Sequence, residues 1–286
     1  MTPKRKNRAK RRTIYVLPNL ITALSLFAGF YGLISAVNGR FLAAATAILV
    51  AAILDTVDGT VARVTKTTSF FGREYDSLCD LVAFGVAPAL LMYQWALKPG
   101  KLQALSSLSG ETKTLSLGLV ICFIYVACGS LRLARFNVNS DQRDPGFFQG
   151  IPITGGAVIL CSAVFWHYRS PNPLQPSTLF ILVLTLVTSF LMVSAMDYIS
   201  LKHKAIAKNP HPFETLVLAV LVLGILVVKV KTLLLPVCIL YMATGPFVTF
   251  FRRKAGLPAP GPEPPLPGEG GPEGDRESGQ PQGGPP

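Results

Sequence analysis

Charge is scarce in this sequence. Asp, Glu, Lys and Arg make up 15% of its 286 residues, where soluble domains carry about a quarter, and half the residues are hydrophobic with a mean hydropathy of +0.45. That balance excludes an ordinary soluble domain of this size. Cysteine is also sparse: Cys79, Cys122, Cys128, Cys161 and Cys238 are odd in number, lie in apolar runs and include no C-x-x-C pair. This argues against a disulfide framework or a zinc site and leaves core packing. His167, His203 and His211 share no metal-ligand spacing. No segment reads as a soluble domain, and no internal repeat is visible.

What the chain does have is apolar length. Eight runs are candidate membrane spans: Leu20 to Val37, Phe41 to Ala62, Leu78 to Leu97, Leu115 to Phe136, Ile153 to Tyr168, Leu179 to Ala195, Phe213 to Val228 and Thr232 to Phe251. The expected fold is therefore all-α, a polytopic membrane bundle of about eight transmembrane helices. Asn19, behind Pro18, is a candidate N-cap for the first span, and the Ala-rich second span suits close helix approach.

The net charge of +12 follows topology rather than nucleic-acid binding. With the N-terminus in the cytoplasm, only Arg40, Lys98, Lys101, Lys113, Arg169, Lys229 and Lys231 fall outside, and the other 20 of 27 basic residues fall inside. Both termini are thus expected to be cytoplasmic. Residues 1–17 form a basic arm beside the membrane, suited to anionic lipids at about 1 kcal/mol per charge. The catalytic region is expected over 18–251. Residues 252–286 follow as a tail; Ala255 to Pro286, with 10 Pro and 9 Gly among 32 residues, are too poor in apolar side chains to fold.

Against this background four acids stand out. Asp55-x-x-Asp58-Gly59-x-x-Ala62-Arg63 is followed, after eight residues, by Gly72-x-x-x-Asp76-x-x-x-Asp80. An acid in a membrane helix costs roughly 2.5 to 3.5 kcal/mol, so four together need compensating cations. Spacings of three and four put each pair on one helix face, and two helices can aim all four carboxylates into one cleft. Oxygen-only ligation points to Mg2+ or Mn2+, and the set is large enough for two ions about 3.5 to 4 Å apart, an arrangement suited to phosphoryl chemistry. Gly59 leaves room for a phosphate beside the backbone, and Arg63 adds a cation one turn later. Intramembrane acids also mark cation transporters, but these four lie on one side of the membrane on adjacent spans, not at the midplane of inverted halves. A structural scaffold gives no account of them.

These residues resemble the signature of the CDP-alcohol phosphatidyltransferase family, matched without departure. The resemblance implies that Asp55, Asp58 and Asp76 ligate two divalent ions, and that Asp80 is both a fourth carboxylate of that metal site and the general base. It also implies that Gly59, Arg63 and Gly72 border the CDP-lipid, with Ala62 and Thr67 on the same side. Leu17 to Thr22, Gly129 to Asn137, Phe148 to Ile153 and Leu191 to Lys202 are similar to the phosphatidylserine synthase branch, with departures at Thr154-Gly155-Gly156 and Leu201. That branch implies transfer of a phosphatidyl group from CDP-diacylglycerol to L-serine with release of CMP. Its relatives use other acceptors, among them glycerol 3-phosphate, inositol phosphate and choline. It further implies a homodimer in the bacterial cytoplasmic membrane with the site facing the cytoplasm. Arg132 and Arg135, at i and i+3, are candidates for a phosphate or serine carboxylate, joined on that side by Asn137, Tyr198 and Lys202.

Overall fold

The computed structural model of the chain describes residues 3–64, 69–98, 111–138, 147–169, 177–199, 234–251 and 254. Residues 1–249 form one compact unit; residues 250–286 form a second, of which Phe250, Phe251 and Lys254 are described.

Apolar runs become helices because the backbone of a membrane segment must satisfy its own hydrogen bonds. The helices are α1 (Pro3–Val37), α2 (Phe41–Val64), α3 (Phe70–Asp80), α4 (Ala87–Met92), α5 (Glu111–Val138), α6 (Ile153–Arg169), α7 (Thr178–Val193) and α8 (Leu234–Phe251). A wide turn over Leu81–Val86 joins α3 to α4, and a second over Tyr93–Leu97 extends α4, so that Phe70–Leu97 is one continuous helix. Five helices are long and apolar enough to cross a membrane: Pro18–Val37, Phe41–Val61, Phe70–Leu97, Leu117–Val138 and Leu234–Phe251. Ile153–Tyr168 and Thr178–Val193, at the fifth and sixth predicted spans, are apolar but shorter. The predicted seventh span, 213–228, lies outside the described residues.

Three local expectations change. Asn19 is no N-cap, because α1 runs through Pro18; the missing N–H removes one intrahelical bond without ending the helix. The third span starts at Phe70 rather than Leu78, because Ser69 caps it with extended backbone (φ −125, ψ 155) and an oxygen that accepts from the Gly72 N–H at 2.9 Å. The described residues also include a two-stranded antiparallel ribbon, β1 (Phe147–Gln149) with β2 (Asp197–Ile199), pairing Phe148 with Tyr198.

Small residues set the helix spacing. Ala44, Ala45, Ala47 and Ala51 of α2 are buried, and Ser25 of α1 donates to the Ala51 carbonyl at 2.9 Å. A Cβ at Gly29 of α1 would lie 2.5 Å from Ala83 Cβ, so α1 meets the third span backbone to backbone one turn past Asp80. There the helix is wide: the Ala87 N–H donates to the carbonyl of Val82, five residues back. Tyr125 of α5, fully buried, donates its hydroxyl to the Phe84 carbonyl in that turn at 3.1 Å. The five cysteines are free and sit in helices.

Candidate functional site

Two helices deliver the acids. Asp55 and Asp58 lie toward the C-terminal end of α2, and Asp76 and Asp80 close α3. One carboxylate oxygen from each of Asp55, Asp76 and Asp80 lies within 4.8 Å of the others. At that distance two anions repel by roughly 3 kcal/mol at an effective dielectric near 20, so the trio calls for a counter-charge. Asp58 is outside the trio yet the most buried of the four, 3% exposed. Thr22 of α1 lies beside it, its hydroxyl donating to the Pro18 carbonyl at 3.1 Å. Asp58 Oδ2 and Asp76 Oδ1 are buried with no hydrogen-bond partner among the described residues.

Buried oxygens without donors, in an oxygen-only set contributed by two helices, fit a hard divalent cation. Asp80, expected both in the metal site and as general base, stands among the clustered oxygens, and Asp58 is the acid outside that cluster.

Around the acids, a Cβ at Gly59 would meet nothing within 4 Å among the described residues. Gly72 is instead closed in, since its Cβ would stand 3.0 Å from Ser69 Oγ and 3.5 Å from Asn19 Oδ1. Its absence of a side chain serves the capped start of α3. Ala62 and Arg63 fall in the last turn of α2; their side chains, together with Thr67 and Lys202, lie outside the described residues.

The residues expected on the acceptor side are drawn into the framework. Arg135 donates to Gln149 Oε1 of β1 and, at 3.3 Å, to the Val193 carbonyl ending α7. Arg132 stacks its guanidinium 5.6 Å from the Phe136 ring centroid. Tyr198 is 0% exposed, donates to the Met242 carbonyl at 3.3 Å and lies 5.4 Å from Tyr241. Burial pushes its phenol up to about 12, which keeps it a neutral donor. Asn137 reaches α3, bonding Ser77 and Glu74.

The roles of Ser69, Glu74, Ser77 and Gln149 are not visible in the sequence. Ser69, directly before Phe70 and Phe71, is legible only as an isolated capping signal, and the other three depend on contacts with residues distant in the chain.

Comparison with known proteins places these residues in context. The family model described as CDP-alcohol phosphatidyltransferase matches residues 15–172. A CDP-diacylglycerol–serine O-phosphatidyltransferase of Helicobacter pylori is 36% identical over 194 residues, covering 66% of this chain and 74% of that protein. One of Mycobacterium leprae is 32% identical over 246 residues, 84% of this chain and 76% of its own. An archaetidylserine synthase of Methanothermobacter thermautotrophicus is 32% identical over 194 residues, 67% and 73%.

Proposed function

The chain belongs to the CDP-alcohol phosphatidyltransferase family, and from that footing we propose that it transfers a phosphatidyl group from CDP-diacylglycerol to L-serine, giving phosphatidylserine and CMP. The observation that carries the chemistry is the carboxylate trio of Asp55, Asp76 and Asp80 beside the open backbone of Gly59. Serine as acceptor is supported by the relatives, whose names share serine while differing in the lipid.

Asp55, Asp58 and Asp76 would hold a pair of Mg2+ or Mn2+ ions. When bound, these supply positive charge for the pyrophosphate of the CDP-lipid. Gly59 admits the pyrophosphate against the α2 backbone, and Ala62, Arg63 and Thr67 border the CDP group, Arg63 adding a fixed cation. Gly72 contributes by letting α3 start where it does. Asp80 accepts the proton of the serine hydroxyl. The serine Oγ–P bond forms as the P–O bond to CMP breaks, and CMP departs with the electron pair. Arg132 and Arg135 are the candidates for a phosphate or the serine carboxylate, and Asn137, Tyr198 and Lys202 are further acceptor-side candidates. Arg135, Asn137 and Tyr198 shape that side through the contacts above.

The apolar helices support a multi-pass membrane protein and the distribution of basic residues a site facing the cytoplasm, while the family resemblance favours the bacterial cytoplasmic membrane. The basic arm of 1–17 would engage anionic lipids, the catalytic region would span 18–251 with the tail of 252–286 beyond it, and the family resemblance favours a homodimer.

The test is acceptor choice. Purified protein in detergent, given CDP-diacylglycerol, Mn2+ or Mg2+ and each candidate alcohol in turn, should release CMP and form lipid product with L-serine. Product with glycerol 3-phosphate and none with serine would overturn the acceptor assignment.

A further inference from the structure

Asn137 lies in the last turn of α5, 60 residues from the segment it touches. Its Nδ2 donates to Ser77 Oγ at 3.0 Å and to Glu74 Oε2 at 3.4 Å. The Ser77 hydroxyl divides its hydrogen between the Arg73 carbonyl at 3.1 Å and Asn137 Oδ1 at 3.3 Å. Both ends of the amide are therefore committed to α3, its donors and its acceptor meeting residues that flank Asp76.

We infer that Asn137 is a positioning residue for the carboxylate site, a bracket that fixes α3 so that Asp76 and Asp80 remain aimed at Asp55. This rests on the metal-binding reading of that site. Mutual repulsion among the acids pushes α2 and α3 apart, so their approach needs restraint from outside the cluster. The N-terminus of α3 is held by its Ser69 cap, and the turn after Asp80 by the contact of Ala83 with Gly29. Asn137 grips the stretch between them, at residues 74 and 77. It also connects α3 to the rest of that side, because Arg135 on the same helix holds Gln149 and the Val193 carbonyl. An amide suits the place because it donates and accepts at once.

Mn2+ binding to the full chain in detergent without substrate, read by electron paramagnetic resonance of the free ion, tests the role. Metal-free thermal stability is measured alongside. Asn137→Ala and the isosteric Asn137→Asp should each weaken Mn2+ binding by roughly ten-fold, the scale seen when partners of metal ligands are removed. Asn137→Asp places a second carboxylate opposite Glu74. The double variant N137D/E74Q reverses donor and acceptor, and should recover affinity to within about three-fold of the unsubstituted protein by the same scale. Unchanged affinity in both single variants, with the unsubstituted protein binding Mn2+ normally, would overturn the inference alone. So would weakened binding that tracks lost thermal stability and is not recovered by the double variant. Failure of the unsubstituted protein to bind Mn2+ would overturn the metal reading, and the inference with it.

Discussion

Asp58 and Asp80 differ in ways that substitution can separate. Asp58 is buried with an oxygen that lacks a donor among the described residues, so Asp58→Asn replaces a charge with an amide that presents an N–H to a cation. Mn2+ affinity measured by calorimetry should drop at least about ten-fold. Asp80→Asn keeps a carbonyl oxygen within the trio but cannot take a proton. Turnover should fall by roughly a hundred-fold or more with Mn2+ and CDP-lipid binding mostly kept. Equal loss of binding in the two variants would contradict a separate base. These acids were legible in the sequence because a charge in an apolar run has few other reasons to be there. The partners were not. Asn137 meets Ser77 across 60 residues, and Arg135 meets Val193 across 58, separations that no periodicity reports. For Arg135 and Tyr198 the polarity was visible in the sequence, and the partners each has within the fold were not.

At the scale of elements, the long helices followed from hydropathy, whereas their ends depended on single side chains. Ser69 starts α3 well before the apolar run, and Pro18 fails to end α1. The ribbon was invisible because strands of three residues carry no usable alternation. It depends on Gly150, whose φ of +71 favours glycine and whose N–H donates to the Met196 carbonyl at 2.9 Å. A Cβ there would also overlap the Met192 carbonyl oxygen. Gly150→Ala should therefore destabilise by about 2 kcal/mol or more. In a thermal melt in detergent this would appear as a Tm lowered by roughly 4 °C or more. An unchanged Tm would mean that the ribbon is not part of the folded framework.

For the whole molecule, composition alone identified a membrane protein, and the described residues contain five helices able to span. The site is assembled where α1, α2 and the third span meet, with α1 contributing Thr22 and the close approach at Gly29. Small residues made that convergence possible, but nothing in their spacing told which helices would meet. Chelation with EDTA should abolish CMP release and leave secondary structure intact by circular dichroism, with activity returning on addition of Mn2+. The most direct measurement is an anomalous difference map at the manganese edge from crystals grown with Mn2+ and CDP-diacylglycerol. Two peaks among Asp55, Asp58, Asp76 and Asp80, in contact with the pyrophosphate, are expected. A bound CDP-lipid with no manganese between it and these carboxylates would contradict the account.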